Sequence, residues 1–596
     1  GDKPVTPTGT DAPHNYLIEL NGTHLTATGT DSSGLNPSEL RILNSDEGTV
    51  STNKLTFYNS KEKASADAAG GGSITFVKGR LGADNNIFDF GGTKLSASGS
   101  AQSVPDGHEP IFSSLTFVDS LQGASDSNAV TMNNGSPQDS SVNPTGGASA
   151  VFVSGAAGAS SNTITLNGTT LSAEGVSEGG CVYGGITLVR SSEGSVSGSM
   201  LTVNTATLKA TGGTAIDFVS SASGAVSNTI TLNETNLSAE GVSEDGNVYG
   251  GISLVSSADG SVSGSTLEIN TATLQVTDGA SVHFINGANG VGKYTIGLSG
   301  SDISAKGIQT GGSIYGGVIT LISSSEGSVS DSTLEVNTDS NGKRTTMTAS
   351  DGASIHFING ANGVEKYTIG LDGADISAAG AQAGGSVYGD ITLVESSHGI
   401  VSGSGSKLTL SRDGSGNRTS LAATDGASVY FVNGAEGAEG NTIELNGADI
   451  SAKGVQADGR VYGGAITLIG SSDGTVSGST VNLHSDGSGA GTTLSATDGA
   501  SIHLVSGAKG AEGNAIEING AAITADGDQA DGVTYGSSSL IESLSGTATD
   551  NKVYLHSTGS SITSFQIQDG ADMTLVSGAG GVSGNHVRMS GAILGV

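Results

Sequence analysis

Disulfide bonds, tryptophan and long apolar runs are all missing from this sequence of 596 residues. It holds one cysteine, Cys181, and no tryptophan, so no disulfide can form within the chain. A lone thiol is compatible with both secreted and cytosolic proteins. No stretch approaches the ~18 consecutive apolar residues that a membrane-spanning helix needs. The sequence therefore predicts neither a disulfide-stapled domain nor a helical membrane protein.

Positive charge is scarce. Lysine and arginine number 23 against 57 aspartates and glutamates, which gives a net charge of −34. A nucleic-acid binder needs clustered Lys and Arg, and an anionic membrane surface would repel this chain. We therefore expect no nucleic-acid partner and no direct insertion of this segment into a membrane. The apolar share of 35% is too high for outright disorder.

Proline is confined to the start of the chain, whereas glycine is abundant throughout. All eight prolines lie between Pro4 and Pro144, and glycine accounts for 97 residues. Because proline cannot donate to a strand ladder, the proline-free remainder is suited to backbone pairing on both sides of each strand. Frequent glycine argues against long helices. Residues 60–69, SKEKASADAA, are the one short helical candidate.

A single motif recurs along the chain. It reads NTITLNGTTLSAEG at Asn162 and NTIELNGADISAKG at Asn441, and its copies are 70, 76, 66, 66, 73, 74, 73 and 71 residues apart. Asn or Asp ends the first run in most copies, for example Asn167 and Asp372, where stacked amides would form a ladder. The equivalent apolar residues are Ile18, Phe88, Ile164, Ile230, Ile296, Ile369, Ile443, Ile516 and Val587.

Each repeat is itself double. Residues 162–173 match 199–210 at an offset of 37, and residues 184–197 match 214–227 at an offset of 30. The runs alternate with period two, as in Ile164/Leu166 and Leu201/Val203, which indicates strands. Strands this short bury their apolar face only when coil stacks on coil.

This pattern predicts an all-β fold, a right-handed parallel β-helix (β-solenoid) of roughly 16–17 coils with short loop excursions. We expect residues 1–146 to form an N-terminal cap and less regular coils with loops. Residues 147–596 are expected to form a regular β-helix of two-coil repeats, each 66–74 residues long.

The sequence VYGG, or a variant of it, follows the repeated strand in six copies. Together with the parallel coils and the Ser/Thr/Gly/Asn richness, it resembles the passenger domains of type V autotransporters, above all the self-associating and host-cell adhesins. The resemblance implies export through the outer membrane to the bacterial surface by a C-terminal β-barrel. It also implies a role in cell–cell aggregation and biofilm, or in attachment to a host surface protein or glycan.

The two ends of the sequence suggest a longer natural chain. The N-terminus lacks a basic start followed by an apolar stretch, so we expect any secretion signal to have been removed. The sequence stops in mid-pattern at GAILGV, and we expect it to be truncated before the membrane barrel that the resemblance implies.

Three sets of outward residues are candidate binding sites. The first is a tyrosine column, which either contacts a partner or anchors the insertion that precedes each tyrosine. The second is a column beside the inward Phe or Leu, which points outward by alternation; its members are too far apart for one metal to bridge. The tyrosines are Tyr183, Tyr249, Tyr315, Tyr388, Tyr462 and Tyr535, and the second column is Asp217, His283, His356, Tyr430 and His503.

The third set lies in loops that lengthen three consecutive repeats, at residues 338–345, 411–419 and 484–492. Lys343, Arg344, Arg412 and Arg418 make these loops a local basic spot on an acidic chain. They are either solvated turns or a contact for an acidic partner or for a second copy. The SDGSG run lacks the calcium-loop pattern D-x-[DN]-x-[DN]-G.

No catalytic signature accompanies these features. The sequence has no H-E-x-x-H zinc motif and no GDSG serine-protease motif, so we expect no enzyme, cofactor or metal. Two alternatives to an adhesin stay open. A polysaccharide-cleaving β-helix enzyme would need a carboxylate groove, for which Asp106, His108 and Glu109 are the candidates. A passive spacer that lifts another domain from the cell would need no site.

Overall fold

The computed structural model describes residues 13–29, 38–58, 64–99, 112–134, 139–178, 181–244, 247–310, 313–403, 405–457, 460–558 and 561–595. Within these ranges the regular secondary structure is entirely β, and no helix is long and apolar enough to cross a membrane. The chain divides into two units, Gly1–Ala288 and Asn289–Val596.

Each unit is a right-handed parallel β-helix whose coil contains four strands. One coil of the first unit is made of Met200–Asn204, Thr207–Thr211, Ala215–Ser221 and Ala225–Val226, and the next coil begins at Thr229. Within each unit the four strands of the coil pair in parallel with the equivalent strands of neighbouring coils, as Met200–Asn204 does with Thr163–Asn167 and Thr229–Asn233. Among the described residues the four strand positions recur 16 or 17 times, which confirms the predicted fold and number of coils. The short fourth strand has no counterpart in the sequence-based expectation.

The first and third strands of the coil carry the surfaces described below. The first strands of the first unit are Leu17–Glu19, Lys54–Tyr58, Ile87–Gly91, Ala129–Asn133, Thr163–Asn167, Met200–Asn204, Thr229–Asn233 and Thr266–Asn270. Those of the second unit are Thr295–Ser299, Thr333–Asn337, Thr368–Asp372, Lys407–Ser411, Thr442–Asn446, Thr480–His484, Ala515–Asn519, Lys552–His556 and His586–Ser590.

The third strands are the longest, at seven residues each. In the first unit they are Glu39–Ser45, Ser73–Gly79, Ser114–Ser120, Ser149–Gly155, Gly185–Ser191, Ala215–Ser221, Gly251–Ser257 and Ser281–Gly287. In the second unit they are Val318–Ser324, Ser354–Gly360, Asp390–Ser396, Ser428–Gly434, Ala465–Ser471, Ser501–Gly507, Ser537–Ser543 and Asp572–Gly578.

The core is a column of aliphatic side chains inside the coils. Val130, Ile164, Leu201 and Ile230 are register partners in successive coils of the first unit, and each is fully buried. Every residue that marks the sequence repeat lies at this strand position, with one coil between successive markers in each unit. Alternation by two directs these side chains inward. The division at residue 146 into irregular and regular two-coil repeats stays a prediction.

Asparagine side chains form two hydrogen-bonded ladders in the first unit. A buried ladder lies before the first strand, where Asn53 Nδ2 donates to Asn86 Oδ1 at 2.9 Å and Asn86 Nδ2 donates to Asn128 Oδ1 at 3.0 Å. A half-buried ladder lies at the end of the first strand and includes Asn167, as the sequence predicts. Each side-chain amide thereby hydrogen-bonds the amide of the neighbouring coil. Buried polar groups at a turn need such partners.

Two local features depart from expectation. The helical candidate is wrong for Ser65–Ala69, which is a strand because its alternating Ala66 and Ala68 are buried between parallel neighbours. Residues 60–63 of that candidate lie outside the described residues. Pro144 lies inside the strand Ser141–Thr145, whose ladder to the following coil reaches only Ser141 and Val142. A proline has no N–H to continue such a ladder. The expected change in regularity at residue 146 stays a prediction.

Candidate interaction surfaces

The outer side of the first strands in the first unit carries a threonine column beside an asparagine ladder. Register pairing aligns Thr131, Thr165, Thr202 and Thr231 in four successive coils. In the adjacent ladder each Nδ2 donates to the Oδ1 of the preceding coil, at 2.8, 2.8, 2.8 and 3.0 Å. The ladder consists of Asn133, Asn167, Asn204, Asn233 and Asn270. We call these two columns the Thr–Asn face.

The Thr–Asn face keeps hydrogen-bonding capacity for a partner. An amide offers two N–H donors and two lone pairs on its oxygen, and a side-chain ladder uses one of each. No charged residue interrupts the threonine column before Glu268, which is the register partner of Thr231. This face is not among the sites predicted from the sequence, although its signal, Thr and Asn at alternate positions of NTITLN, is present at Asn162.

The predicted insertion in every second coil is a short antiparallel hairpin, and the tyrosine lies at its base. Tyr183 pairs with Val176 and Tyr462 pairs with Val455, so the tyrosine closes the hairpin against its first residue. The six hairpins are Val176–Glu178 with Cys181–Tyr183, Val242–Glu244 with Asn247–Tyr249, Ile308–Thr310 with Ser313–Tyr315, Ala381–Ala383 with Ser386–Tyr388, Val455–Ala457 with Arg460–Tyr462, and Asp528–Ala530 with Val533–Tyr535.

The hairpins pack onto a glycine turn of the intervening coil. A Cβ at Gly426 would lie 3.1 Å from Cγ2 of Val387 and 3.2 Å from Cγ1 of Val455, which belong to the hairpins on either side. The tyrosine side chains are half-buried, apart from Tyr388 with 36% of its surface exposed. This geometry favours the anchoring role of the column; a role in binding a partner stays a prediction.

The column of Asp217 and the histidines lies on the outer side of the third strands, as alternation predicts. Each member alternates with Ser or Thr of the next coil, as in Thr467 beside His503. The third strand buries two adjacent residues at its middle, for example Phe218 and Val219. The outward residues on either side of this buried pair, three positions apart, therefore lie close together. In one such case, a Cβ at Gly470 would lie only 3.0 Å from Cγ2 of Thr467.

Convergence brings histidines and carboxylates together in this column. His503 Nδ1 lies 3.2 Å from Glu542 Oε2 and 2.8 Å from Ser539 Oγ, and His356 Nδ1 lies 3.9 Å from Glu395 Oε2. The hydrogen bond from His503 lowers the pKa of Glu542. Each pair joins one histidine to one carboxylate, which is too few ligands for a metal site.

Burial shifts the pKa of other groups in the same column. It raises the pKa of Asp217 to about 6 and lowers the pKa of His283. Burial also raises the pKa of Tyr430, and burial together with the charge of Asp390 raises that of Glu395. In each case the charged form is disfavoured because the protein replaces water around it.

The basic loops of the second unit stack on one another, as predicted. Thr338 Oγ1 donates to Asp413 Oδ2 at 2.6 Å, and Arg412 Nη1 donates to Ser488 Oγ at 3.0 Å. The aspartate that begins each loop accepts the backbone N–H groups of its own turn; Asp413 accepts from Ser415 and Asn417 at 2.9 and 2.7 Å. These carboxylates therefore stabilise the turns of their own loops by accepting backbone hydrogen bonds.

All four cations of the loops have partners within the chain. Arg344 Nε donates to Gly373 O at 2.7 Å, and Arg418 Nε donates in the same way to Gly447 O at 2.8 Å. The ion pairs are Lys343–Asp302 at 2.9 Å, Arg344–Asp375 at 3.6 Å, Arg412–Asp486 at 3.0 Å and Arg418–Asp449 at 2.7 Å. These contacts largely neutralise the basic spot, so the loops are better suited to stabilising the stack than to attracting an acidic partner.

The described residues offer no metal site that would assign a role to these surfaces, and no known relative does so. Within the described ranges no group of three His, Cys, Asp or Glu side chains is placed to hold a metal ion. Asp106, His108 and Glu109 lie outside the described residues. No protein-family model, curated protein or solved structure matches the chain.

Proposed function

We propose that this protein is a bacterial surface adhesin, acting extracellularly through the side faces of its β-helix. Its partners are a second copy on a neighbouring cell, which gives aggregation and biofilm, or a protein or glycan of a host surface. The observation that carries this proposal is the Thr–Asn face, in which the same polar groups recur in register along the coils.

Repetition makes weak contacts effective. Neighbouring coils lie about 4.8 Å apart, so each coil presents the same hydroxyl and amide as the last. One hydrogen bond contributes only about 0.5–1.5 kcal/mol net. Once the first contact has formed, each further contact is effectively intramolecular, and the contributions add along the face. A face of this kind binds strongly without containing any single strong site.

Charge indicates where two copies would meet. Each copy carries −34, so most approaches are repulsive. The uncharged threonine column between Thr131 and Thr231 is where two copies approach with the least repulsion. Added salt screens the repulsion between the remaining acidic surfaces, and we therefore expect self-association to strengthen with ionic strength.

The test is display of the chain on bacteria that do not aggregate, followed by measurement of settling and of attachment to host cells and matrix. Thr165→Glu with Thr202→Glu, in adjacent coils, adds charge to the Thr–Asn face and should reduce clumping. Thr348→Glu with Ser377→Glu is the matched control, since these residues lie in adjacent coils on outer positions of the second strands. If the displaying cells neither clump nor attach, the proposed adhesin function is wrong.

Two further measurements separate the alternatives. Sedimentation over a concentration series, with and without added salt, detects self-association in the purified chain. Turnover on a panel of acidic polysaccharides would instead identify a β-helix enzyme. A chain that neither associates, attaches nor cleaves would be a passive spacer.

A further inference from the structure

Planar side chains recur at one outer position of the third strands in the second unit. His356, Tyr430 and His503 lie there in every second coil, and register pairing places Thr392 and Thr467 between them. We call His356, Tyr430 and His503 the ring column. Its side chains are half-buried, so each keeps an accessible surface. A paired strand lies on both sides of each member, so none is exposed by a missing coil.

The residues between the rings do not contribute to the outer surface. Thr392 and Thr467 are nearly fully buried, with 3% and 8% of their surface exposed. The larger side chains around them therefore form the surface that a partner would contact. A flat ring offers such a partner an apolar face.

Spacing determines what the ring column can contact. Neighbouring coils lie about 4.8 Å apart, so successive rings are about 10 Å apart. An extended β-1,4-linked glycan turns each sugar over relative to the last and therefore repeats every two sugars, over nearly the same length. The rings would thus meet the same face of alternate sugars. An α-1,4-linked glycan is helical and does not keep this spacing.

Each histidine of the ring column lies beside a carboxylate of the next coil. Glu395 Oε2 lies 3.9 Å from His356 Nδ1, and Glu542 Oε2 lies 3.2 Å from His503 Nδ1. The two glutamates occupy the same strand position four coils apart, a separation of about 19 Å. Two repeats of the extended glycan have the same length, so both carboxylates reach the same side of it.

The strands that carry these carboxylates hold no basic side chain other than histidine. Lysine and arginine are absent from the described third strands between Val318–Ser324 and Ser537–Ser543. Burial raises the pKa of Asp390, and burial together with the charge of Asp390 raises that of Glu395. The charged forms of both groups are therefore disfavoured in the free chain, and a cationic ligand would stabilise them.

We propose that the ring column binds an extended β-1,4-linked glycan whose sugars carry free amino groups. His356, Tyr430 and His503 pack against the apolar faces of alternate sugars, and Glu395 and Glu542 pair with protonated amino groups. The net charge of −34 attracts such a glycan and repels acidic ones. The contacts are individually weak and add along the glycan, because its sugars are tethered to one another.

This assignment rests on the proposed adhesin function, for which it names an amino-sugar glycan of a neighbouring surface as the partner. The test uses the full chain and oligomers of β-1,4-linked glucosamine with two, four and six sugars, at mildly acidic pH. Calorimetry should show the affinity rising about threefold to tenfold with each added pair of sugars. Cellohexaose keeps the linkage without the amines and should bind about tenfold more weakly than the glucosamine hexamer. Maltohexaose, with α linkages, should bind more weakly still.

Substitutions of the central ring separate the ring column from general attraction of a cation to an acidic chain. Tyr430→Thr introduces the residue type that the neighbouring coils carry at Thr392 and Thr467, and should weaken the hexamer about threefold to tenfold. Tyr430→Phe keeps the ring and should bind within about twofold of the parent. Tyr554→Thr removes a ring from the outer side of the first strands instead, and should leave binding unchanged.

The carboxylate contacts have their own pair of variants. Glu395→Gln should weaken the hexamer about tenfold and change cellohexaose binding little, since it removes a charge-assisted pair. Glu512→Gln removes the same charge from an exposed residue of the fourth strand Gly510–Glu512, and hexamer binding should stay within about twofold. Affinity that is independent of oligomer length, equal binding of the hexamer and cellohexaose, or full binding by Tyr430→Thr would overturn the assignment.

The same probes distinguish failure of the site from failure of the adhesin function. If displaying cells clump or attach while the purified chain binds none of the glucosamine oligomers, the site is wrong and adhesion stands. If the purified chain binds the hexamer as expected but displaying cells neither clump nor attach, the site stands and the adhesin function is wrong.

Discussion

Tyr367 donates its phenolic hydrogen to Oδ1 of Asn441 at 3.0 Å, and both side chains are fully buried. The two residues are 74 positions apart and occupy the same position before the first strand, two coils apart. Asn occupies this position in other coils, where its Oδ1 accepts an N–H from the neighbouring coil, as Asn228 does from Ser199. In the coil between, the N–H of Ser406 donates to Gly403 O instead. The phenol therefore supplies the donor that this coil lacks.

We expect Tyr367→Phe to destabilise the second unit by about 1–3 kcal/mol. The variant keeps the buried ring but leaves the Asn441 oxygen without this donor, and an unsatisfied buried acceptor costs its desolvation. Hydrogen exchange of the strand Thr442–Asn446 should become faster. Tyr430→Phe, on the outer side of the third strands, is the control and should change exchange little.

The stability of the three stacked loops, at residues 338–345, 411–419 and 484–492, should depend on the guanidinium geometry of Arg418 and not on its charge alone. Its guanidinium donates to Gly447 O and Ala448 O, at 2.8 and 3.3 Å, and also to Gly491 O of the next loop. Lysine retains the charge but cannot reproduce this fork. We expect Arg418→Lys to cost about 1–3 kcal/mol and to raise hydrogen exchange in residues 484–492.

Lys343→Gln is the comparison for that prediction, since Lys343 makes one half-exposed ion pair with Asp302. Exposed pairs contribute about 0–1 kcal/mol, so this variant should leave exchange in the loops nearly unchanged. Equal effects of Arg418→Lys and Lys343→Gln would contradict a fastening role for the arginine.

The glycine turn beneath the hairpins should not tolerate a side chain. Gly499 has a φ of +81°, and a Cβ there would lie 2.6 Å from Cγ1 of Val461 and 3.1 Å from Cβ of Tyr535. Backbone strain and overpacking together should make Gly499→Ala cost about 2–4 kcal/mol. Limited proteolysis should then cut first at the hairpin Asp528–Ala530 with Val533–Tyr535.

Gly370 provides the matched substitution in the same unit. It lies inside the strand Thr368–Asp372, outside the left-handed region, with nothing within 4 Å of the position of a Cβ. Gly370→Ala should therefore be neutral or stabilise by up to about 1 kcal/mol. A loss of stability at Gly370 as large as that at Gly499 would rule out crowding as the cause.

Stability of the first unit should depend on pH through Asp217. Burial raises the pKa of this carboxyl from its ordinary value of 3.8 to about 6, so the folded chain binds more protons than the unfolded chain between these values. Stability should therefore fall as the pH rises from about 4 to 6 and level off above. Asp217→Asn removes the charge and should stabilise the strand Ala215–Ser221 by about 1–3 kcal/mol at pH 7.5.

Hydrogen exchange of that strand at pH 4 and pH 7.5 measures the effect. The parent should lose protection between the two values beyond the intrinsic rate change, and the variant should not. Identical pH dependence in the two proteins would show that the Asp217 carboxyl ionises without cost to the fold.

Much of the architecture follows from the order of residues alone. Ile164 and Leu166 alternate with polar residues, and the same alternation returns in the following coils. It directs aliphatic side chains to the inner side of each strand, where neighbouring coils must cover them. The predicted two-coil repeat, the coil number and the stacked loops all follow from this periodicity. Ser65–Ala69 shows its limit, since local composition favours a helix and only the neighbouring strands make it β.

Placement across coils needed the tertiary structure. Spacing places Thr165 and Thr202 in neighbouring coils, but the bonds between Asn167 and Asn204 depend on side-chain geometry that a sequence does not contain. The same holds for Arg344 and Arg418, which spacing presents as exposed cations and the structure pairs with carboxylates and carbonyls of other coils. The sequence by itself determined the winding of the chain, because that depends on local periodicity; the structure decided which outward groups are satisfied within the chain and which face solvent, because that depends on distances between coils.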